Sequence, residues 1–211
     1  DAAVTPFRPL PIAGVLWYQG ESNAESDWRV AQHDAVLKTL VTDWRAQWNR
    51  PNLPFLFVQL PAMKRPHWPA FRASQQRVHD SLPHTGMAVT IDLGHPTNVH
   101  PREKQPVGER LERLAMAHVY GKPNRGKGPR FESAKRRGDL LVVRLAKGDR
   151  RLRTLDELPP TGFEVRDGRG RWSRAEARIV VGDTLEVASP LGQAVTALRY
   201  AWVPYPEPTL N

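Results

Sequence analysis

The first apolar run along the chain spans residues 15–18 (Val-Leu-Trp-Tyr), and a short continuous run of this kind is typical of a buried core strand. A helical pattern follows, from about residue 26 to residue 49. Its apolar residues recur at intervals of three, four and seven and therefore share one face: Val30, Leu37, Val41, Trp44 and Trp48. Pro51 ends this predicted helix, because proline removes a helical hydrogen bond.

The alternation of core strand and helix repeats twice more. Residues 53–60 and 87–93 are the next apolar runs, and helical patterns follow them at about 70–81 and 102–120. Pro106 falls in the first turn of the last helix, where its missing N–H is harmless. Successive strand–helix units indicate parallel strands joined by helical crossovers, so the sequence predicts an α/β fold.

The pattern changes at Gly121. A linker rich in glycine, proline and basic residues covers 121–130, and short β-rich runs alternate with Gly-Asp turns beyond it. Gly182-Asp183 stands between two such runs and predicts a tight hairpin turn. We therefore expect two domains, an α/β part over 1–125 and a small antiparallel β-rich, sandwich-like domain over 126–211.

Composition narrows the class of protein. Of the 211 residues, 40% are hydrophobic and 25% charged, which is ordinary for a globular protein, and no apolar run approaches the length of a membrane span. The absence of cysteine excludes disulfides, cysteine zinc sites and a cysteine nucleophile. The chain opens on residues that read as the middle of an element, which predicts an N-terminally incomplete chain and leaves the compartment unknown.

The net charge of +9 admits two interpretations. One is nucleic-acid binding, which a basic chain favours. The other is an arginine-rich solvated surface. The arginines are scattered and no nucleic-acid-binding motif accompanies them, so we expect no nucleic-acid partner.

His100 is the strongest single candidate for chemistry. It lies between a predicted strand and a predicted helix, and Pro101 restricts its backbone to extended angles that help to fix the imidazole. A loop or capping role is the alternative. Asp92 ends the preceding predicted strand and would orient His100 as the acid of a triad does, or else cap the next turn.

The polar turn after the first strand is the second candidate. Gln19, Gly20, Glu21 and Asn23 offer amide donors and a carboxylate at a strand end, where such donors stabilise an oxyanion; simple turn and capping chemistry is the alternative. Ser22 follows a G-x-S pattern, but Ala24 stands where a nucleophile elbow has glycine.

The sequence offers two further kinds of candidate site, a metal site and a sugar-stacking tryptophan. His95 and His100 lie near Asp92, yet no metal-ligand spacing of the H-E-x-x-H kind occurs, so no metal is expected. Most of the tryptophans in the α/β part are predicted core residues. Trp68, in a proline-rich loop, is a candidate for stacking on a sugar, and a loop anchor is the alternative.

Three motifs in order carry a family resemblance: GVLWYQGESNA at 14–24, FVQLPA at 57–62, and IDLG with VHPREKQPVGERL between 91 and 111. They resemble the sialate O-acetylesterase family, carbohydrate esterases of the SGNH/GDSL hydrolase superfamily. The C-terminal stretches at 162–175 and 198–202 also resemble the β-rich tail of such proteins. The resemblance implies a partial SGNH-type three-layer fold, a parallel sheet between helices.

The resemblance also implies a mechanism. The family removes O-acetyl groups from sialic acids or related sugars with a serine nucleophile, a histidine base and oxyanion donors, and with no metal or cofactor. His100 matches the histidine, and the 19–23 turn matches the block that supplies oxyanion contacts (Gln19, Gly20) and substrate contacts (Glu21, Asn23).

The family's serine lies in a Gly-Gln-Ser-Asn-type motif upstream of these blocks, and this chain contains no Gly-Gln-Ser. The resemblance therefore implies the C-terminal portion of a longer esterase. That portion would be inactive alone and would be completed by the missing N-terminal portion or a partner chain. The residues leave the compartment unknown, and the resemblance suggests a periplasmic or secreted protein.

The family often has an acid two or three residues before the histidine, where this chain has Asn98 and Thr97. The orienting group is then Asp92 or a backbone carbonyl. A non-catalytic carbohydrate-binding or structural fragment is the alternative function.

Overall fold

The structure, a computed structural model, describes residues 4–123, 128–146, 148, 152–154, 156–188, 195–207 and 210. Its internal contacts divide the chain into two compact units, 1–124 and 125–211. The domain boundary expected between residues 125 and 126 lies outside the described residues.

A parallel three-stranded sheet forms the centre of the first unit. Its strands β1 (Val15–Trp17), β2 (Phe55–Val58) and β3 (Thr85–Ala88) stand in the order β1-β2-β3. The helices are α1 (Asp27–Gln47), α2 (Trp68–Ser81) and α3 (Gln105–His118). Among the described residues, no helix is both long and apolar enough to cross a membrane.

Each face of this sheet has its own apolar core. Phe55 and Phe57 of β2 pack with Leu37 and Val41 of α1 and Val78 of α2 on one face. On the other face, the alternate residues of the strands meet α3, in a cluster centred on Val58, Ala88 and Val107. Helices on both faces of a parallel sheet confirm the predicted α/β layers, including the predicted apolar face of α1.

The third strand differs from its prediction. The apolar run 87–93 indicates a strand that ends at Asp92, but β3 begins at Thr85 and ends at Ala88. The last ladder bond is donated by the N–H of Gln59 to the carbonyl of Ala88, and the chain turns at Thr90–Leu93. Thr90 donates its hydroxyl to the carbonyl of Gln59 (2.5 Å), which fixes the turn and places Asp92 in a loop.

The free side of β1 is the edge of the sheet. Within the described residues β1 pairs with β2 alone. Val15 and Trp17 pack into the core beneath α1, whereas Leu16 points to the opposite face and is 60% exposed. An apolar side chain and a row of unpaired backbone groups are therefore open on the same strand.

The second unit is antiparallel, as predicted. One sheet has the order β4-β5-β9-β8 and the other β10-β6-β7. Their strands are β4 (Arg130–Arg137), β5 (Leu140–Ala146), β6 (Phe163–Arg166), β7 (Trp172–Ala175), β8 (Ala177–Ile179), β9 (Thr184–Ala188) and β10 (Ala197–Tyr200). A single apolar cluster includes residues of both sheets, among them Val143, Val165 and Val187. The hairpin at Gly182 joins β8 to β9.

Candidate functional site

The turn after β1 is built around a glycine that has no room for a side chain. Gly20 is buried and has φ +151°, and a Cβ placed on it would lie 2.5 Å from the Phe71 ring. Its neighbour Gln19 donates from Nε2 to Oδ1 of Asn23 (2.6 Å), which closes the turn. The second N–H of Gln19 and the amide of Asn23 remain available as donors at the carboxyl end of β1.

Tyr18 anchors this turn from beneath. Its ring packs on the α3 side of the sheet beside Val58 and Ala88, and Nζ of Lys104 lies 4.9 Å from the ring centroid. Burial, followed by the charge of Glu21, raises the pKa of Tyr18 to about 12, so the phenol stays protonated at neutral pH. The Lys104 contact connects the end of β1 with the segment that follows His100.

His100 lies in a loop that is held by hydrogen bonds from side chains of the loop to its backbone. Nδ1 of His95 accepts the backbone N–H of Thr97 (3.2 Å) and of Asn98 (2.9 Å), so this nitrogen carries no proton. Oδ1 of Asn98 then accepts the backbone N–H of His100 (2.9 Å). The His100 side chain itself is exposed.

The same loop is fastened to the segment that follows β2. The backbone N–H of Lys64 donates to the carbonyl of Pro96 (3.0 Å). A Cβ on Gly94 would lie 2.2 Å from the carbonyl oxygen of Ala62, so the two backbones are in direct contact. Only glycine permits this approach.

One apolar cluster brings the two candidate segments together. It contains Ala24, directly after the 19–23 turn, and Phe71, against which Gly20 packs. Val99, the neighbour of His100, packs against the same cluster. The His100 loop and the 19–23 turn therefore rest on a common support at the carboxyl edge of the sheet, where open α/β sheets bind ligands.

Asp92 makes different contacts. Both of its carboxylate oxygens accept hydrogen bonds from Arg110 of α3, at 2.6 and 2.5 Å. Despite partial burial, hydrogen bonding and the charge of Arg110 hold its pKa below the usual range. Within the part of the chain that the structure describes, no hydrogen bond joins Asp92 to His100. A role for Asp92 in orienting His100 stays a prediction.

Comparison with known proteins identifies the family. Residues 2–117 match the model of a family described as carbohydrate esterase, sialic acid-specific acetylesterase. The chain belongs to this family. It is 28% identical to a human sialate O-acetylesterase and 29% to the mouse protein, over 98% of its own length in each case.

A solved structure agrees with this family assignment. The chain superposes on a carbohydrate acetylesterase from Xanthomonas citri with a TM-score of 0.91 and 33% identity over 98% of its length. It spans 49% of that protein and 44% of the human relative, and therefore about half the length of the proteins it matches.

The exposed tryptophan beside the candidate site is Trp28, whereas Trp68 is buried. Trp68 is only 1% exposed and donates its indole N–H to the carbonyl of Pro61 (2.7 Å), so it anchors the loop. Trp28 is 60% exposed and lines a surface cavity of about 180 Å³. The other lining residues are Ser22, Asn23, Arg29, Gln32 and Val36.

Sequence reasoning missed this cavity, although a signal was present. The buried residues of α1 centre on Val30, Leu37 and Val41. Trp28 lies on the opposite side of the helix, where a large aromatic residue is out of place. A tryptophan on the polar face next to a polar turn is the local feature from which this cavity could have been found.

Proposed function

We propose that this chain is the part of a carbohydrate acetylesterase that carries the histidine base and the oxyanion donors. The substrate class is sialic acid, or a related sugar, with O-acetyl groups. The observation that carries the proposal is the superposition on a carbohydrate acetylesterase, which covers 98% of the chain, including both candidate segments.

The proposed reaction is a two-step transfer of the acetyl group. A serine oxygen attacks the acetyl carbonyl while His100 accepts the serine proton. The free donors of the Gln19–Asn23 turn stabilise the oxyanion, and the sugar hydroxyl leaves with the proton from His100. His100 then takes a proton from a water that attacks the acetyl-serine ester; the ester bond breaks, acetate leaves, and the serine oxygen regains its proton from His100. Glu21 and Asn23 contact the sugar.

The group that orients His100 is either Asp92 or a backbone carbonyl. Arg110 donates to both oxygens of Asp92, so Asp92 would hold His100 only through the lone pairs that this ion pair leaves free. Within the described residues no hydrogen bond joins Asp92 to His100, and this observation favours a carbonyl.

The nucleophile is proposed to come from outside these residues. The chain has no Gly-Gln-Ser, and its relatives are about twice as long. The unpaired edge of β1 beside the exposed Leu16 fits a further strand from an upstream portion or a partner chain. That strand would place a serine close to the 19–23 turn.

A non-catalytic role is the second candidate, and the absent serine motif is the observation that favours it. The chain would then bind carbohydrate or support a larger assembly without hydrolysis. The two candidates differ in whether a polypeptide that adds the upstream portion gains activity.

The test compares the 211-residue chain with a longer polypeptide of the same gene. We expect no hydrolysis of p-nitrophenyl acetate by the chain alone, and release of acetate from O-acetylated sialic acid by the longer protein. His100→Ala in the longer protein should lower kcat by at least about a hundredfold, because a general base contributes that much. His84→Asn, at an exposed histidine with positive φ that asparagine tolerates, is the control.

Two results would contradict the proposal. Hydrolysis by the 211-residue chain that His100→Ala abolishes would mean that the nucleophile lies within it, and Ser22 would become the candidate. A folded longer protein that releases no acetate would favour the non-catalytic role.

A further inference from the structure

The surface cavity beside the 19–23 turn combines one aromatic ring with several free donors. Trp28 and Val36 form its apolar wall. Asn23 and Gln32 contribute amides. Oδ1 of Asn23 accepts from Gln19, which leaves its amino group free, and the Gln32 amide makes no hydrogen bond within the described part of the chain. An aromatic side chain in an apolar wall, with a few polar groups beside it, is typical of small-ligand sites.

Arg29 supplies a cation held in a fixed position. Its Nη1 donates to the carbonyl of Ser22 (2.8 Å) and to Glu25 (3.1 Å), and the guanidinium lies 5.3 Å from the centroid of the Trp28 ring. Arginine has five N–H donors, and these bonds use Nη1 alone. Nε and Nη2 are therefore free to receive an anion, among the contacts that the structure describes.

The charge around Arg29 is not cancelled by its acidic neighbour. Glu25 is shared, because Arg65 also approaches its carboxylate (3.4 Å). The guanidinium groups of Arg29 and Arg65 thus share the single carboxylate of Glu25. A carboxylate ligand would find a planar donor pair and a favourable field at Arg29.

We propose that this cavity binds the ring of an acidic sugar, with the sugar stacked on Trp28 and its carboxylate on Arg29. This inference rests on the proposed function and assigns a new part of the same site. Asn23 belongs to both the turn and the cavity, so a sugar held there would lie next to the proposed oxyanion donors. An uncharged sugar would gain the stacking but not the ion pair.

The test is a binding titration on the ¹⁵N-labelled 211-residue chain, followed at the tryptophan indole N–H signals. The probes are the methyl glycoside of N-acetylneuraminic acid and its carboxyl methyl ester, which removes only the charge. We expect the acid to shift the Trp28 signal and to bind about tenfold more tightly than the ester, since charge-assisted bonds are about twice as strong as neutral ones.

Variants separate the contributions of the ring and the cation. Trp28→Ala should abolish the shift, and Arg29→Met should bind acid and ester equally. Gln32→Ala, at a side chain with no hydrogen bond among the described residues, should weaken both ligands without any effect on folding. Trp202→Ala and Arg174→Met, matched exposed residues of the second unit, should bind like the unsubstituted chain.

Equal binding of acid and ester by the unsubstituted chain would overturn the inference, and so would unchanged binding by Trp28→Ala. Failure of this inference can be distinguished from failure of the proposed function. Deacetylation by the longer protein without binding at Trp28 would remove only the cavity assignment. Binding at Trp28 without deacetylation by the longer protein would contradict only the proposed esterase function.

Discussion

Gly20 shows how a single backbone position shapes the candidate site. Its left-handed conformation and its contact with Phe71 leave no space for a side chain. The turn carries Gln19 and Asn23, so a displaced Gly20 also displaces the donors. The residue type at position 20 therefore controls both stability and the position of the Gln19 and Asn23 amides.

We predict that Gly20→Ala lowers the free energy of unfolding by about 3 kcal/mol, because it combines overpacking with an unfavourable φ. Urea unfolding measures the loss. Gly108→Ala is the control, since Gly108 lies in helix α3 with nothing within 4 Å of an added Cβ. It should instead stabilise by about 0.5 to 1 kcal/mol. Equal stability of Gly20→Ala and the unsubstituted chain would contradict the packing described.

At the scale of elements, a buried polar network joins α1 to α2. Nδ1–H of His33 donates to Oγ of Ser74 (2.6 Å), and Ser74 donates to Asp34, which also binds Arg77 (2.8 Å). Although it contains a serine, a histidine and an aspartate, the network is not a catalytic triad. Ser74 is fully buried and the hydroxyl proton points to the carboxylate.

This network makes stability depend on pH. Burial lowers the pKa of His33 to about 4, with Asp34 opposing and Arg77 adding to the shift. The unfolded chain, with a pKa of about 6.5, binds the proton more readily. Stability is therefore complete above about pH 6.5 and falls as the pH drops towards about 4, by about 3 kcal/mol at most.

We predict that His33→Asn removes most of this pH dependence, because asparagine keeps a donor for Ser74 and does not titrate. Unfolding in urea at pH 7 and pH 4.5 provides the comparison. His84→Asn, at an exposed site, should keep the full difference between the two pH values. If both variants lose stability equally on acidification, His33 is not the responsible group.

The spacing of apolar residues predicted the helices and strands of the first unit, because burial on both faces of the sheet imposes this spacing. The spacing of Val30, Leu37 and Val41 placed α1 correctly, and all three residues are buried. The predicted end of β3 was wrong, because a hydrogen bond from the Thr90 side chain to Gln59 ends the strand within an apolar run. A contact between residues 31 positions apart leaves no local signal.

The candidate site was only partly predictable for the same reason. His100 and the 19–23 turn were predicted from motifs, which depend on local sequence, and their catalytic roles stay predictions. The contact of Asp92 with Arg110 and the exposure of Trp28 depend on how α3 and α1 pack. Sequence spacing contains no information on which side of a loop Asp92 faces.

For the molecule as a whole, the open edge of β1 predicts association. An unpaired strand beside an exposed apolar side chain is a template for pairing with another chain. We expect the 211-residue chain to show marginal solubility and a mass that rises with concentration in light scattering. Leu16→Lys should reduce this association by placing a charge on the edge.

The control is Val181→Lys, which adds the same charge at the exposed hairpin tip of the second unit. It should leave the association unchanged. A stable monomer at every concentration tested would count against the open edge as an interaction surface. A longer polypeptide that supplies the upstream portion should be monomeric where the 211-residue chain is not.

In the proposed esterase, the cluster that contains Ala24 and Phe71 would lower the entropic cost of completing the site. The 19–23 turn and the His100 loop both rest on this cluster within one chain, so neither would have to be ordered when a serine from outside these residues arrives. The conformational entropy of the two segments would then be lost during folding and not during assembly.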